Sequence, residues 1–143
     1  MSEPIPDGFA QHFRNSSVTD PWQPIYSRVG VDVVEIGVTL RPVHCNSRGF
    51  VHGGVIATLA DNAMGLSLVQ AAGQDVRAGQ QKVSAITVNL TIDYLATADV
   101  GHWLQFTPRV QKVGRTMGFT DAMVLSAGKT IARAIGTFTL IRP

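Results

Sequence analysis

The chain has 143 residues, of which 45% are hydrophobic and 15% are charged, and it carries a formal net charge of +2 at pH 7. These values predict one globular domain, and the low charged fraction indicates either a fully buried element or surface hidden in an oligomer. Lysine and arginine form no run, which argues against a nucleic-acid partner, and a single cysteine excludes an intrachain disulfide and fits a reducing compartment.

The first part of the chain, residues 1–22, is polar and is punctuated by Pro4, Pro6 and Pro21. We interpret it as an N-terminal arm that precedes a domain of residues 23–143. Two roles are open for this arm, covering a pocket or covering a neighbouring subunit. Its start lacks the basic and apolar segments of a secretory signal, so we expect a cytoplasmic protein.

Residues 25–42 are rich in valine and isoleucine and are predicted to form the first strand. The apolar alternation changes parity between Val33 and Val34, which indicates a bulge or a bend within this strand. A loop rich in turn-forming residues follows over residues 41–51.

A long helix is predicted over residues 51–72, where apolar residues recur close to the helical period and Gly73 marks the end. Polar residues and glycines interrupt the apolar run, so we reject a membrane span and predict a core helix enclosed by the rest of the chain. The only carboxylate of this helix is Asp61, near its middle. An unpaired buried carboxylate is costly, so Asp61 requires a partner, a shifted pKa or a chemical role.

Four strands are predicted after the helix, over residues 82–95, 103–113, 117–125 and 130–141. In the first of them an apolar set alternates with a polar set, which predicts one face toward the helix: Ile86, Val88, Leu90, Ile92 and Tyr94 against Thr87, Asn89, Thr91 and Asp93. Pro108 indicates an edge position or a bulge, and residues 126–129 read as a tight hairpin turn. Short connections predict that the last four strands are sequential antiparallel neighbours.

The predicted class is therefore α+β, with one long central helix wrapped by a curved antiparallel sheet of about five strands. This order, together with Asn46, Gly49, His52-Gly53-Gly54 and Asp61 at these spacings, resembles the hotdog-fold acyl-CoA thioesterases, in particular the phenylacetyl-CoA and 4-hydroxybenzoyl-CoA thioesterase branch. The resemblance covers the chain from the first strand to the C-terminus. It implies the hotdog fold, an acyl-CoA substrate, no cofactor, and a homodimer that pairs into a dimer of dimers.

The resemblance also implies roles for single residues. Asp61 corresponds to the catalytic carboxylate, and the Gly53 N–H to the group that polarises the thioester carbonyl. Asn46 corresponds to the residue that orients the thioester or the attacking water, and Thr87 to a hydroxyl that helps to hold that water. His52 corresponds to a residue that supports the loop or contacts the substrate near its sulfur.

The predicted substrate-binding positions are Gly54, Thr58 and the turn Gly114-Arg115-Thr116. Gly54 lies at the predicted helix start, Thr58 lies in the helix and would line the pocket, and the turn resembles one that contacts CoA phosphates. For Arg115 a solvent-exposed hairpin charge is the equal alternative.

Elementary chemistry supports part of this assignment independently of the resemblance. The first N–H groups of a helix lack intrahelical acceptors, and the helix dipole favours an oxyanion there, although Gly53 and Gly54 would equally permit tight packing. Asp61 suits a general base or a nucleophile, the alternative being a structural carboxylate. Eight residues along one helix separate Gly53 from Asp61 by about 12 Å, so both can serve one reaction only if two chains contribute. We therefore predict a homodimer with antiparallel helices.

Other chemistry is less well supported. Cys45, His44 and His52 match no standard metal-site spacing, and a Cys–His nucleophile oriented by Asp61 cannot be tested from spacing. Thr87 has the wrong parity for the helix-facing side, which requires that the strand bends or that its polar face lines the site. His12 and His102 have no constellation around them and are predicted to be at the surface.

Three functions remain open. The leading one is an acyl-CoA thioesterase. The second is a hotdog enoyl-CoA hydratase or dehydratase, in which His52 or Asp61 would transfer a proton beside the thioester. The third is a non-catalytic acyl-CoA-binding protein. The acyl group is not set by the sequence.

Overall fold

The structure is a computed structural model, which describes residues 3–79 and 81–143. One long helix, α1 (Gly53–Ala71), packs against an antiparallel sheet of seven strands, so the predicted α+β class is confirmed. The strands are β1 (Ala10–Gln11), β2 (Tyr26–Val29), β3 (Val34–Thr39), β4 (Ser84–Tyr94), β5 (Trp103–Val113), β6 (Met117–Ser126) and β7 (Lys129–Ile141). Their order across the sheet is β1-β2-β3-β5-β6-β7-β4, which leaves β4 at one edge.

The predicted first strand is in fact a hairpin. Tyr26 of β2 is opposite Gly37 of β3, and the Gly30 N–H donates to the Val33 carbonyl at 2.8 Å to close the turn between them. The prediction of one bulged or bent strand is therefore wrong. A chain reversal changes the inward-facing parity just as a bulge does, and the pattern alone does not separate the two.

The later strands follow the predicted order only in part. β5, β6 and β7 are sequential antiparallel neighbours, and Ala127 and Gly128 have φ values of 50° and 74° in the predicted hairpin turn. β4, however, pairs with β7 rather than with β5. The connection that follows β4 is held against the loop before α1, where the Val51 N–H donates to the Ala98 carbonyl at 3.0 Å. This connection runs from β4, at one edge of the sheet, to β5, which is separated from β4 by β6 and β7.

Pro108 lies in β5, an interior strand of the sheet, but outside the part of β5 that pairs with β3. β3 pairs only with residues 103–106 of β5, and Val34, which would be next in register with Pro108, donates its N–H to Ser67 instead. β3 therefore needs no backbone N–H from position 108, and proline has none to donate.

β4 changes its helix-facing parity along its length. Its register against β7 shifts between Thr87 and Asn89, which places a bulge at Val88. Before the bulge Thr87 is opposite the buried Phe138, and after it Leu90 takes the inward side. Thr87 therefore faces α1, as the bent-strand alternative required.

The same bulge corrects the predicted apolar face of β4. Ile86 and Val88 do not face α1 but are 55% and 59% exposed. Only the part of the strand after the bulge directs its even-numbered residues inward. The apolar residues of β4 therefore lie on two surfaces: Ile86 and Val88 are exposed, whereas Leu90 faces α1.

The sheet closes tightly around α1. A Cβ at Gly118 would lie 2.7 Å from a methyl carbon of Leu68, so only glycine lets β6 approach the helix this closely. The buried residues of α1 are Val55, Ile56, Leu59, Ala60, Ala63, Met64, Leu66, Ser67, Leu68 and Val69. In the part of the chain that the structure describes, no helix combines the length and apolar character needed to cross a membrane.

The buried Ser67 hydroxyl joins α1 to β3. Its Oγ accepts from the Val34 N–H at 2.9 Å and donates to the Ala63 carbonyl at 2.7 Å. We expect Ser67→Ala to lower the free energy of unfolding by about 1–3 kcal/mol, because the Val34 N–H loses its acceptor inside the core. Urea unfolding tests this, with the exposed Ser17→Ala as the control. A loss no larger than that of the control would contradict the prediction.

Candidate active site

Asp61 and Thr87 come together in one chain. The Thr87 hydroxyl donates to Asp61 Oδ1 at 2.5 Å, a short charge-assisted hydrogen bond. Asp61 is half-buried rather than enclosed, and among the described residues Thr87 is its only hydrogen-bond partner. The other carboxylate oxygen is therefore available for a proton or an electrophile.

A cavity of about 290 Å³ opens beside this pair. Its apolar lining comes from α1, β3, β4 and β7, and includes Leu59, Leu66, Ile36 and Phe138. Residues of the N-terminal arm complete the wall, so in this chain the arm borders the cavity next to Asp61. This is the first of the two roles that the sequence left open for the arm.

His12 belongs to that arm wall, which corrects its prediction as a surface residue. Burial, and to a smaller extent the nearby Arg14 charge, lower the pKa of His12 from 6.5 to about 4. The ring is therefore neutral near pH 7. The misassignment arose because the residues around His12 are distant in sequence and no spacing along the arm indicates them.

At the start of α1, the two candidate glycine N–H donors, Gly53 and Gly54, differ in whether they already have an acceptor. His52 is the N-cap residue, and its Nδ1 accepts from the Gly54 N–H at 2.9 Å. The Gly54 N–H therefore already has an acceptor within the chain. The Gly53 N–H has no acceptor among the described residues and lies at the positive end of the helix dipole.

Tyr94 supports this helix start and was not identified from the sequence as part of the site. Its hydroxyl donates to the Gly53 carbonyl at 2.7 Å, and a Cβ on Gly53 would lie 3.2 Å from the Tyr94 ring. Tyr94 thus lies directly beside the Gly53 backbone. Its place in an alternating strand gave no signal of this contact.

Asn46 organises the loop that leads into α1. Its Oδ1 accepts from the N–H groups of Arg48 at 2.9 Å and Phe50 at 3.2 Å. Among the described residues its Nδ2 has no partner, so this amide can still donate to a ligand. Asn46 is exposed.

The Gly114-Arg115-Thr116 turn joins β5 to β6 at the end of the sheet. Arg142 holds it from the C-terminus, since its Nε donates to the Arg115 carbonyl at 2.9 Å. The Arg115 side chain is exposed, which is compatible with both predicted roles, contact with CoA phosphates and a solvent-exposed hairpin charge. Thr58 lies on α1, where its hydroxyl donates to the Gly54 carbonyl at 2.9 Å.

The structure gives no support to a metal site or a cysteine nucleophile. Within residues 3–79 and 81–143 no three or more histidine, cysteine and carboxylate side chains cluster so that they could hold a metal ion. His44 is buried, and its Nδ1 accepts from the Arg41 N–H at 2.9 Å, which is a structural role. Burial and the nearby Asp99 raise the pKa of Cys45, so its reactive thiolate is disfavoured.

The candidate groups fall into two sets within one chain. Asp61 and Thr87 line the cavity, whereas Gly53 and Asn46 are not among the residues that line it. Eight helical residues separate the two sets by about 12 Å along α1.

Comparison with known proteins identifies the family. The profile of the thioesterase superfamily matches residues 48–132. The chain belongs to this superfamily. The predicted family is therefore confirmed, and the protein is a thioester hydrolase.

Individual relatives agree with this thioesterase assignment. A candidate esterase of Pseudomonas aeruginosa is 33% identical over 137 residues, which cover 95% of this chain and 97% of that protein. Human acyl-coenzyme A thioesterase 13 is 32% identical over 92 residues, or 63% of this chain and 60% of that protein. The crystal structure of a Streptococcus mutans protein bound to acetyl CoA matches with a TM-score of 0.67 and 26% identity, over 78% of this chain and 85% of that one. The hotdog fold of this thioesterase is thereby confirmed.

Proposed function

We propose that this thioesterase hydrolyses an acyl-CoA thioester to a free acid and CoA. The observation that carries the proposal is the Asp61 carboxylate, held by the Thr87 hydroxyl at 2.5 Å beside a cavity of about 290 Å³. The acyl-CoA class draws on the relatives, one named as an acyl-CoA thioesterase and one crystallised with acetyl CoA.

In the proposed reaction, Asp61 takes a proton from water as the water oxygen attacks the thioester carbon. The free Gly53 N–H and the dipole of α1 stabilise the oxyanion that forms on the carbonyl oxygen. The tetrahedral intermediate then expels the CoA thiolate, which takes up a proton. Direct attack by Asp61, followed by hydrolysis of the resulting anhydride, is the alternative route. Neither route requires a metal or a redox cofactor to balance.

The complete site requires two copies of the chain. Gly53 and Asn46 of one copy would face Asp61 and Thr87 of the other, because one helix holds the two sets about 12 Å apart. Two uncovered surfaces support this assembly. The edge strand β4 exposes Ile86 and Val88, and one side of α1 is only partly buried, along Gly54, Ala57, Thr58, Asp61, Asn62 and Gly65. A homodimer with antiparallel helices would cover both, and we propose that such dimers pair again.

The remaining candidate residues take supporting roles. The free Asn46 amide would orient the thioester or the water, and Thr87 would position Asp61. His52 acts through the helix start, where it occupies the Gly54 donor and so leaves Gly53 as the oxyanion group. Thr58 and the Gly114-Arg115-Thr116 turn would contact the substrate, with Arg115 directed to CoA phosphates. We place the protein in the cytoplasm.

Release of free thiol from acyl-CoA esters tests the function. We expect the purified protein to hydrolyse at least one member of a panel of short, medium, long and aryl acyl-CoAs. The enoyl thioester absorbance is followed in parallel, so that a hydratase would appear as a change at the acyl carbons with the CoA bond intact. No thiol release from any ester would contradict the proposal.

A further inference from the structure

Positive charge is concentrated at one end of the sheet. The start of β4 and the turn between β5 and β6 meet the end of β7 there, where Ser84 is opposite Ile141. Residues 82–88, 111–119 and 137–143 form this end, and they contain no aspartate or glutamate. Their basic residues are Lys82, Lys112, Arg115 and Arg142. Several cations without a neighbouring side-chain carboxylate favour an anionic ligand at this end.

The Asp61 carboxylate lies near the same end. Its partner Thr87 is opposite Phe138, and Phe138 is in turn opposite Gly118 of β6. Two strand spacings across the sheet and three residues along the chain separate Thr87 from Arg115, which amounts to about 14 Å. The pantetheine chain of CoA, with its two amides, can span such a distance between a thioester sulfur and the CoA diphosphate.

Arg142 bonds two successive carbonyls of the turn between β5 and β6. Its Nε donates to the Arg115 carbonyl at 2.9 Å, and its Nη2 donates to the Gly114 carbonyl at 3.2 Å. A planar guanidinium presents these donors at a fixed spacing, so it can bond both acceptors at once, whereas an ammonium group is a point donor. Arg142 therefore fixes the orientation of two peptide groups.

This orientation sets the direction of two backbone N–H groups. Both peptide groups are trans, because the one cis bond among the described residues is Gln23–Pro24. In a trans peptide the N–H points opposite to the carbonyl, so the N–H groups of Arg115 and Thr116 point away from Arg142. Neither N–H has an acceptor among the described residues. Successive N–H groups in a turn form a concavity that binds anions.

We propose that Arg142 is a positioning residue for the phosphate groups of CoA. Its two hydrogen bonds hold the turn so that the N–H groups of Arg115 and Thr116 and the Arg115 guanidinium can bind one phosphate. Arg142 acts through the turn, whereas Asp61 carries the chemistry. The proposal rests on the acyl-CoA thioesterase function above. Arg142 lies outside residues 48–132 that match the family profile, so this role adds to what that profile covers.

Substrates with and without phosphate groups test this role. The pair is the acyl-CoA that the protein hydrolyses fastest and the matching acyl-pantetheine, which has no phosphate. We expect Arg142→Gln to raise KM for the acyl-CoA about tenfold with kcat unchanged, the effect of losing one hydrogen bond to a charged group. Both constants for the acyl-pantetheine should stay as in the wild type.

Two further variants make this result specific. Arg142→Lys keeps the charge but cannot bond both carbonyls, so it should lose as much as Arg142→Gln. Lys129→Gln removes an exposed cation from the hairpin at the opposite end of the sheet and serves as the control. A wild-type KM in Arg142→Lys would assign the effect to charge alone and overturn the proposal. An equal rise in KM for the acyl-pantetheine would overturn it as well, because the change would then not depend on phosphate.

Binding of CoA itself, measured by calorimetry, separates this proposal from the function on which it rests. Weaker CoA binding by Arg142→Gln than by the wild type, without thiol release from any ester, would support the phosphate site while contradicting the thioesterase. Thiol release with the same KM in the wild type and Arg142→Gln would overturn the role of Arg142 and leave the thioesterase intact. No CoA binding by the wild type would overturn the proposal.

Discussion

Replacing Asp61 with asparagine is expected to lower kcat/KM for acyl-CoA hydrolysis by about two to four orders of magnitude. Asparagine has nearly the same shape, and its Oδ1 can still accept from the Thr87 hydroxyl that bonds Asp61 at 2.5 Å. The amide cannot accept a proton from water or attack the thioester, so both proposed routes stop. Thiol release by the purified variants measures the loss.

Two further variants make this result specific. Thr87→Val removes the hydrogen bond to Asp61 and should cost about tenfold, whereas Thr87→Ser keeps the hydroxyl and should retain most of the activity. Asp32→Asn replaces an exposed carboxylate and serves as the control. Equal rates for the wild type and a folded Asp61→Asn variant would exclude Asp61 from the chemistry.

The fold could be predicted from the sequence because its main signals are local. The helical period and Gly73, whose φ is 90°, place α1 to within two residues at its start and one at its end. The hairpin turn at residues 126–129 is likewise set by Gly128. The pairing of β4 with β7 was missed because strand order depends on how distant segments pack.

The candidate site could be predicted only in part, and the reasons differ from residue to residue. Thr87 was identified although the alternation along β4 predicted that it faces away from the helix. The bulge at Val88, which turns Thr87 toward α1, has no sequence signature. Gly53 and Gly54 are equivalent in sequence, and only the His52 contact shows which N–H is free. His12 was missed because a cavity formed by an arm and a helix has no spacing that marks it.

Removing the Gly53 N–H is the second change with a large expected effect. Gly53→Pro deletes this donor at the first helical position, where proline fits best. The preceding His52 has an extended backbone, with φ −70° and ψ 135°, as a residue before proline requires. We expect kcat to fall about 100- to 1,000-fold, the effect of deleting one oxyanion donor.

Gly53→Ala is the matched control for this loss. It adds a Cβ at the same place, 3.2 Å from Tyr94, but keeps the N–H. Tyr94 is 53% exposed, so its side chain can move aside in both variants. A similar loss in Gly53→Ala and Gly53→Pro would assign the effect to crowding and contradict the proposed role of the N–H.

Combining Gly53→Pro with Asp61→Asn in one dimer tests whether each site needs two chains. A heterodimer of the two single variants, purified through different tags, contains one site with an intact Gly53 from one chain and an intact Asp61 from the other. Its second site lacks both groups. We expect about half of the wild-type turnover per dimer, although each parent homodimer is nearly inactive. A heterodimer no more active than its parents would contradict the two-chain site. Gly53 and Asp61 would then have to act within one chain, across a separation of about 12 Å along α1.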